Sequence, residues 1–283
     1  MPTRRPAHGD TVRALPNVDL LTANVHEDAA LAQLVQGCDA VVNLIAILHG
    51  SASAFEQVHV ALPRRLAAAC RAAGVRRLVH VSALGVGPDA PSRYLRSKTQ
   101  GEAVLAAAAL ELTLLRPSVI FGAHDRFLNL FATLQAFAPV VPLAGSTARF
   151  QPVWVGDVAQ AVVAALGNPA TAGQTYECTG PGTFTLSDIV RLAGRWAGHE
   201  RLQIALPQWA GRLQAAAMSL LPGEPLMSAD NLDSMAVPNV ATGTLPGLAA
   251  LGIQPAALED VAPAYLAATH GATQLDRFRA RRG

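Results

Sequence analysis

The sequence predicts an α/β fold: a doubly wound parallel sheet with a smaller C-terminal α/β lobe. Three observations carry this. Strand-like apolar segments alternate with helix-patterned segments through the first half, the signature of right-handed βαβ units. Hydrophobic residues make up 51% of the 283 residues and charged residues 15%, enough for a large core and incompatible with disorder. After Gly122 the rhythm breaks, so we expect a principal domain over residues 1–146 and a smaller, more irregular lobe over 147–283.

In chain order, Val18 to Thr22 reads as a short strand, and Asp28 to Gly37 as a helix with an acidic start and a glycine stop. Ala40 to Ile47 is a nearly continuous apolar run, as expected of a strand buried on both faces. Ala61 to Ala73 is an alanine-rich helix ended by Gly74. Arg77 to Ser82 is the next buried strand, Tyr94 to Leu110 a long helix, and Leu112 to Ile120 another strand. Ala123 to Ala148 reads as loops around a helix at Arg126 to Ala136. A strand at Phe150 to Val155 precedes a helix capped by Asp157 and running to Leu166. Thr175 to Thr179 is a strand, and Thr185 or Ser187 opens a helix to Gly198. Amphipathic helices separated by Pro and Gly follow Leu206.

Composition narrows the function. The net charge of +2 gives no support to a nucleic-acid surface, and only the tail from Arg277 to Arg282 is locally basic. Cys38, Cys70 and Cys178 are too widely spaced for a disulfide framework or a zinc site, so a reducing cytoplasm is the default and no metal is expected. No apolar run approaches the ~20 residues of a membrane-spanning helix. The first residues carry no apolar signal region.

One count points to chemistry. Of the 22 basic residues, Lys98 is the sole lysine, in a chain where arginine has replaced lysine elsewhere. Lys98 follows Tyr94 by four residues, so the two share a helical face. An ammonium beside a phenol favours the phenolate and lowers its pKa, which makes a general acid/base pair suited to hydride chemistry at a carbinol carbon.

At these residues the sequence resembles the short-chain dehydrogenase/reductase superfamily, in its extended and atypical branch. Tyr94-Leu-Arg-Ser-Lys98 matches the Tyr-x-x-x-Lys motif. Asp39-Ala-Val-Val-Asn-Leu-Ile-Ala46 resembles the strand beside the cofactor ribose, and Ala73-Gly-Val-Arg-Arg-Leu-Val-His-Val-Ser82 the strand leading to the active site. Arg116-Pro-Ser-Val-Ile-Phe-Gly122 resembles the segment between cofactor and substrate, and Phe150-Gln-Pro-Val-Trp-Val-Gly-Asp-Val-Ala159 a later strand–helix element. Ala46-Ile-Leu-His-Gly50, Asp125-Arg-Phe-Leu-Asn129 and Arg149-Phe-Gln-Pro152 are similar to bacterial relatives of the nucleotide-binding accessory subunit of respiratory complex I.

The resemblance implies a Rossmann-type domain binding NAD(P), an epimerase or oxidoreductase activity, and Tyr94, Lys98 and Ser82 as catalytic residues. It places Asn24, Val25, Leu44, Ile45, Ala46, Lys98, Pro117, Ser118 and Val119 beside the cofactor. Arg4 and Arg5 fall where arginines read an adenosine 2′-phosphate, which slightly favours NADP; a frayed terminus is the plainer reading of both. His59 reads as a structural histidine, while His49 and Arg126 are loop residues near the substrate.

Two departures matter. Ala83 stands where the superfamily places a carbonyl-polarising hydroxyl, and Ser82 is its neighbour. No strand–Gly-x-x-Gly-x-x-Gly–helix segment is present, so the first βα unit is expected to be missing and nucleotide binding weak. Two functions from different classes therefore stand. One is an NAD(P)-dependent oxidoreductase or epimerase with an unidentified small-molecule substrate. The other is a non-catalytic NAD(P)H-binding accessory or assembly protein of a respiratory NADH:quinone oxidoreductase, peripheral at the inner membrane. A truncated, inactive product is a third possibility.

Overall fold

The computed structural model describes residues 1–4, 9–13, 15–219 and 227–270. β1 (Pro2–Thr3) and β2 (Leu21–Thr22) form a short parallel ladder of their own. The main sheet begins with β3 (Ala40–Asn43), β4 (Arg77–Val81) and β5 (Glu111–Pro117). Beyond these lie β6 (Ile120–Phe121), β7 (Val140–Ala144), β8 (Arg149–Phe150), β9 (Val153–Trp154), β10 (Thr175–Cys178), β11 (Phe184–Thr185) and β12 (Leu202–Leu206). The four-stranded sheet has the order β10-β5-β4-β3 and is parallel throughout. Among the described residues, β3 has β4 as its partner on one side and no strand on the other.

The two-residue period of β4 explains the layers. Leu78 joins Leu31, Val35, Leu62 and Leu66 beneath helices Asp28–Val35 and Leu62–Ala72. Val79 faces the opposite way, into a core with Leu115, Val158 and Ala161 under helix Val155–Gly167. Both faces are thus covered, as a parallel sheet requires. Helix Leu62–Ala72 ends as expected, because Gly74 takes the left-handed conformation at φ +75.

Several elements differ from expectation for local reasons. The apolar run from Ala40 leaves the sheet at Asn43, whose side-chain oxygen accepts the Ile45 N–H at 3.1 Å and turns the chain. Residues 44–46 therefore form a loop at the carboxyl edge. The helix expected from Ala61 starts earlier: Ala52–Phe55 leads into a π-helical stretch, Glu56–Ala61, which runs straight into Leu62–Ala72. Asp157 lies inside its helix rather than capping it, and its Oδ2 accepts the Ala256 N–H at 2.8 Å. Thr185 does cap the next helix, through a capping box with Asp188.

β7 and β12 pair in parallel, from Val140↔Leu202 to Ala144↔Leu206. The sequence pattern announced neither strand. A separate core of Phe121, Leu128, Phe131, Leu143, Ile189 and Leu266 lies beneath them. The chain passes repeatedly between the sheet, the first body, and this separate core, the second. Helix Leu128–Phe137 and β7 belong to the second, while β10 and helix Val155–Gly167 return to the first. No helix among the described residues is long and apolar enough to cross a membrane.

Candidate functional site

The residues singled out in the sequence fall at the carboxyl ends of parallel strands. Arg4 follows β1, Asn24 and Val25 follow β2, and Leu44, Ile45 and Ala46 follow β3. Ser82 follows β4, and Pro117, Ser118 and Val119 close β5. Such sheets bind ligands outside these strand ends. Arg5 and the basic tail lie outside the described residues.

Tyr94 and Lys98 stand on the first turns of helix Arg93–Ala106. Ser92 caps that helix by accepting the Leu95 N–H at 3.1 Å. Lys98 is 2% exposed, and its Nζ donates to the Val81 carbonyl at the end of β4, at 2.8 Å. An ammonium carries three donors. Two of them have no acceptor among the described residues. Burial lowers Lys98 to about 8, opposed by the Glu102 carboxylate one turn on. Glu102 is itself held by Arg116 of β5, through Nε at 3.0 Å and Nη2 at 2.5 Å.

The lysine was expected to lower the tyrosine. In the folded chain burial dominates instead and pushes the Tyr94 phenol up to about 12. Its ring stands edge-on to Phe55 at 6.3 Å and to His59 at 5.5 Å.

His59 ties three elements together. Its Nε2 accepts the Ile47 N–H at 3.1 Å, so the neutral ring carries its proton on Nδ1 and donates to Ser97 Oγ at 2.8 Å. Ser97 in turn donates to the Tyr94 carbonyl at 2.8 Å. The loop after β3 is thereby fastened to the Tyr94 helix. Burial, with the Lys98 charge adding to it, lowers His59 to about 3. The same two causes, with His59 a further one, lower His80 to about 3, and His80 Nδ1 faces Asn43 Nδ2 at 3.1 Å.

The other predicted residues divide. Ser82 is 5% exposed, and its hydroxyl has no hydrogen-bond partner among the described residues. Leu44, Ile45 and Ala46 are exposed, Leu44 at 64%. Asn24 is taken up locally, donating to Glu27 Oε1 at 2.8 Å, and Val25 packs into the core. The Pro117 carbonyl accepts the Leu84 N–H. Ser118 Oγ donates to Asn239 Oδ1 at 2.6 Å, which also accepts the Val119 N–H at 3.1 Å.

The NAD(P)H-binding family profile matches residues 2–169. The chain belongs to the NAD(P)H-binding family. Within that family, it is 34% identical over 252 residues to NADH dehydrogenase [ubiquinone] 1 alpha subcomplex subunit 9, mitochondrial, of Mus musculus, covering 87% of this chain and 66% of the relative. It is 28% identical to the NADH-ubiquinone oxidoreductase 40 kDa subunit, mitochondrial, of Neurospora crassa, covering 89% of this chain and 67% of the relative. The chain thus spans about two thirds of the length of these relatives. Solved structures share the fold. A nucleoside-diphosphate-sugar epimerase from Staphylococcus aureus superposes with a TM-score of 0.66 at 16% identity, over 94% of this chain and 88% of that one. A dTDP-glucose 4,6-dehydratase from Streptomyces venezuelae, solved with NAD, gives 0.62 at 22%, over 72% of each. The expected Rossmann-like α/β fold, which epimerase and dehydratase structures share, and the similarity to complex I subunits are borne out.

In this member of the NAD(P)H-binding family, sequence reading missed three positioning residues. Gly101 faces the His59 carbonyl so closely that a Cβ would come within 2.0 Å of its oxygen. A glycine in a helix interior costs ~1 kcal/mol relative to alanine, and that cost was the available signal. Asp230 and Asn239 reach the site from far along the chain, and nothing local marks them.

Proposed function

We propose that this protein holds NAD(P)H over the carboxyl ends of β3, β4 and β5 as a nucleotide-binding component of a respiratory NADH:quinone oxidoreductase. The observation that supports it is Lys98. A buried ammonium is anchored by one carbonyl and keeps two donors for the hydroxyls of a ribose. The unpartnered Ser82 hydroxyl is a further polar group for the nicotinamide end, and exposed Leu44, Ile45 and Ala46 offer an apolar shelf. These donors and this shelf fit a dinucleotide. Arg4 and Arg5 would supply a preference for the 2′-phosphate of NADP. The relatives, named as subunits of such an oxidoreductase, support the partner assignment and, with it, a peripheral position at the inner membrane.

A second reading, turnover as an oxidoreductase or epimerase, is favoured by Tyr94 and Lys98 on one helical face. Bound NAD(P)H would supply the hydride. With its phenol near 12, Tyr94 stays protonated at neutral pH and serves as the proton donor to a carbonyl oxygen, while Lys98 stabilises the phenolate left behind. Ser82 would hold the substrate in place of the hydroxyl lost at Ala83.

Calorimetric titration with NADH and NADPH, then turnover with ketones and quinones, separates the readings. Binding without turnover supports the subunit, and turnover that Tyr94→Phe abolishes supports the enzyme. Failure to bind either nucleotide refutes both.

A further inference from the structure

A strap from the second lobe, residues 228–242, crosses the open end of the site. It begins at Ser228, which caps helix Ala229–Ser234 through a capping box with Asn231. Asp230 is 8% exposed and spends both carboxylate oxygens on the start of the Tyr94 helix. Oδ1 accepts the Arg93 N–H at 2.8 Å, and Oδ2 accepts the Tyr94 N–H at 3.0 Å. The Arg93 guanidinium adds an ion pair at 3.6 Å. Val237 packs beside Tyr94 on Ala83, Ala90 and Leu95. Asn239 then holds Ser118 and Val119, and Thr242 binds the Glu177 carboxylate at the end of β10.

We infer that this strap sets the orientation of Tyr94 toward the nucleotide, with Asp230 as its positioning residue. A carboxylate taking the first two free N–H groups of a helix fixes both the axis and the rotation of that turn, and the charge suits the positive helix end. Tyr94 is one of the two residues so held. Ser92 takes the N–H that follows, that of Leu95, and Ser97 holds the Tyr94 carbonyl. Loss of Asp230 releases the tyrosine while leaving Lys98 on Val81 and the sheet intact. The inference rests on Tyr94 facing the bound nicotinamide.

The test uses the full chain labelled with 3-fluorotyrosine, in which each of the three tyrosines gives a fluorine resonance; Tyr94 is the one absent in Tyr94→Phe. Its ionisation midpoint is followed with pH and compared with free fluorotyrosine. In the parent the Tyr94 midpoint stands well above the free value. Asp230→Ala brings it down by about one pH unit or more, because water readmitted around the loosened ring favours the phenolate. Asp230→Glu restores it. Asp233→Ala breaks the bridge from the same helix to Arg212 and leaves it unchanged. If Asp230→Ala does not fold, Asp230→Asn moves the midpoint the same way by less. A folded Asp230→Ala with the parent's Tyr94 midpoint overturns the inference. NADH titration of the parent is run alongside: failure to bind defeats the nucleotide-holding reading, while the fluorine shift still judges Asp230.

Discussion

Gly101→Ala sets two effects of opposite sign against each other. In an exposed helix interior the change stabilises by ~1 kcal/mol. At Gly101 the new Cβ would lie 2.0 Å from the His59 carbonyl oxygen, which is backbone and has no rotamer to yield. Ordinary van der Waals separation requires the two helices to part by more than an ångström. The 2.8 Å bond from His59 Nδ1 to Ser97 Oγ spans the same crossing and breaks. Overpacking costs about 1–3 kcal/mol, and a buried polar group left unsatisfied costs about 1–3 kcal/mol more. After the propensity gain, the net is a loss of about 1–5 kcal/mol against a total stability of about 5–15. Urea unfolding followed by circular dichroism measures it: the midpoint should fall at unchanged slope. NADH affinity should weaken as well, since Lys98 rides on the displaced helix. A Gly101→Ala protein more stable than the parent by about the propensity value would show that the crossing is not tight and refute the reasoning.

Lys98 has a folded pKa of about 8, below its ordinary 10.5, so the unfolded chain binds more protons between those values. The Lys98 contribution to stability therefore grows as pH rises from 8 to 10.5, and Lys98→Met should remove that rise from the urea midpoints. His59 and His80 are lowered from 6.5 to about 3, so stability should fall as pH drops through that window, and His80→Gln should flatten the loss. Tyr94→Phe should leave NADH affinity within a few-fold while removing any turnover. Lys98→Arg should weaken both binding and turnover, because a planar fork cannot replace a compact ammonium 2.8 Å from Val81 in a site 2% exposed. Equal NADH affinity in parent and Lys98→Arg would count against the ribose role.

The parallel sheet was legible because both its faces are buried. Segments such as Arg77 to Val81 carry adjacent apolar residues, Leu78 and Val79, that face opposite layers, and are separated by helix-patterned stretches with glycine stops. The Tyr94–Lys98 pair was legible because the helical repeat alone puts residues four apart on one face, and because Lys98 is the single lysine of the chain. Strand ends were harder to read. The apolar run from Ala40 looks continuous, but one hydrogen bond, donated by the Ile45 N–H to the Asn43 side chain, ends the strand and leaves Leu44 to Ala46 as an exposed shelf. β7 and β12 escaped notice because each is stabilised by a partner some 60 residues away. The electrostatics also belonged to the fold: from the sequence Lys98 should lower Tyr94, yet burial in the assembled site raises it to about 12. Composition and periodicity by themselves determined the layers and the chemical pair, since both follow from local geometry. Only the tertiary structure decided what holds that pair. Asp230 and the His59 carbonyl reach its helix through space and Asn239 reaches the neighbouring β5 end, and the helix N-terminus, the β5 end and the Gly101 crossing they meet exist only once the separate cores have packed.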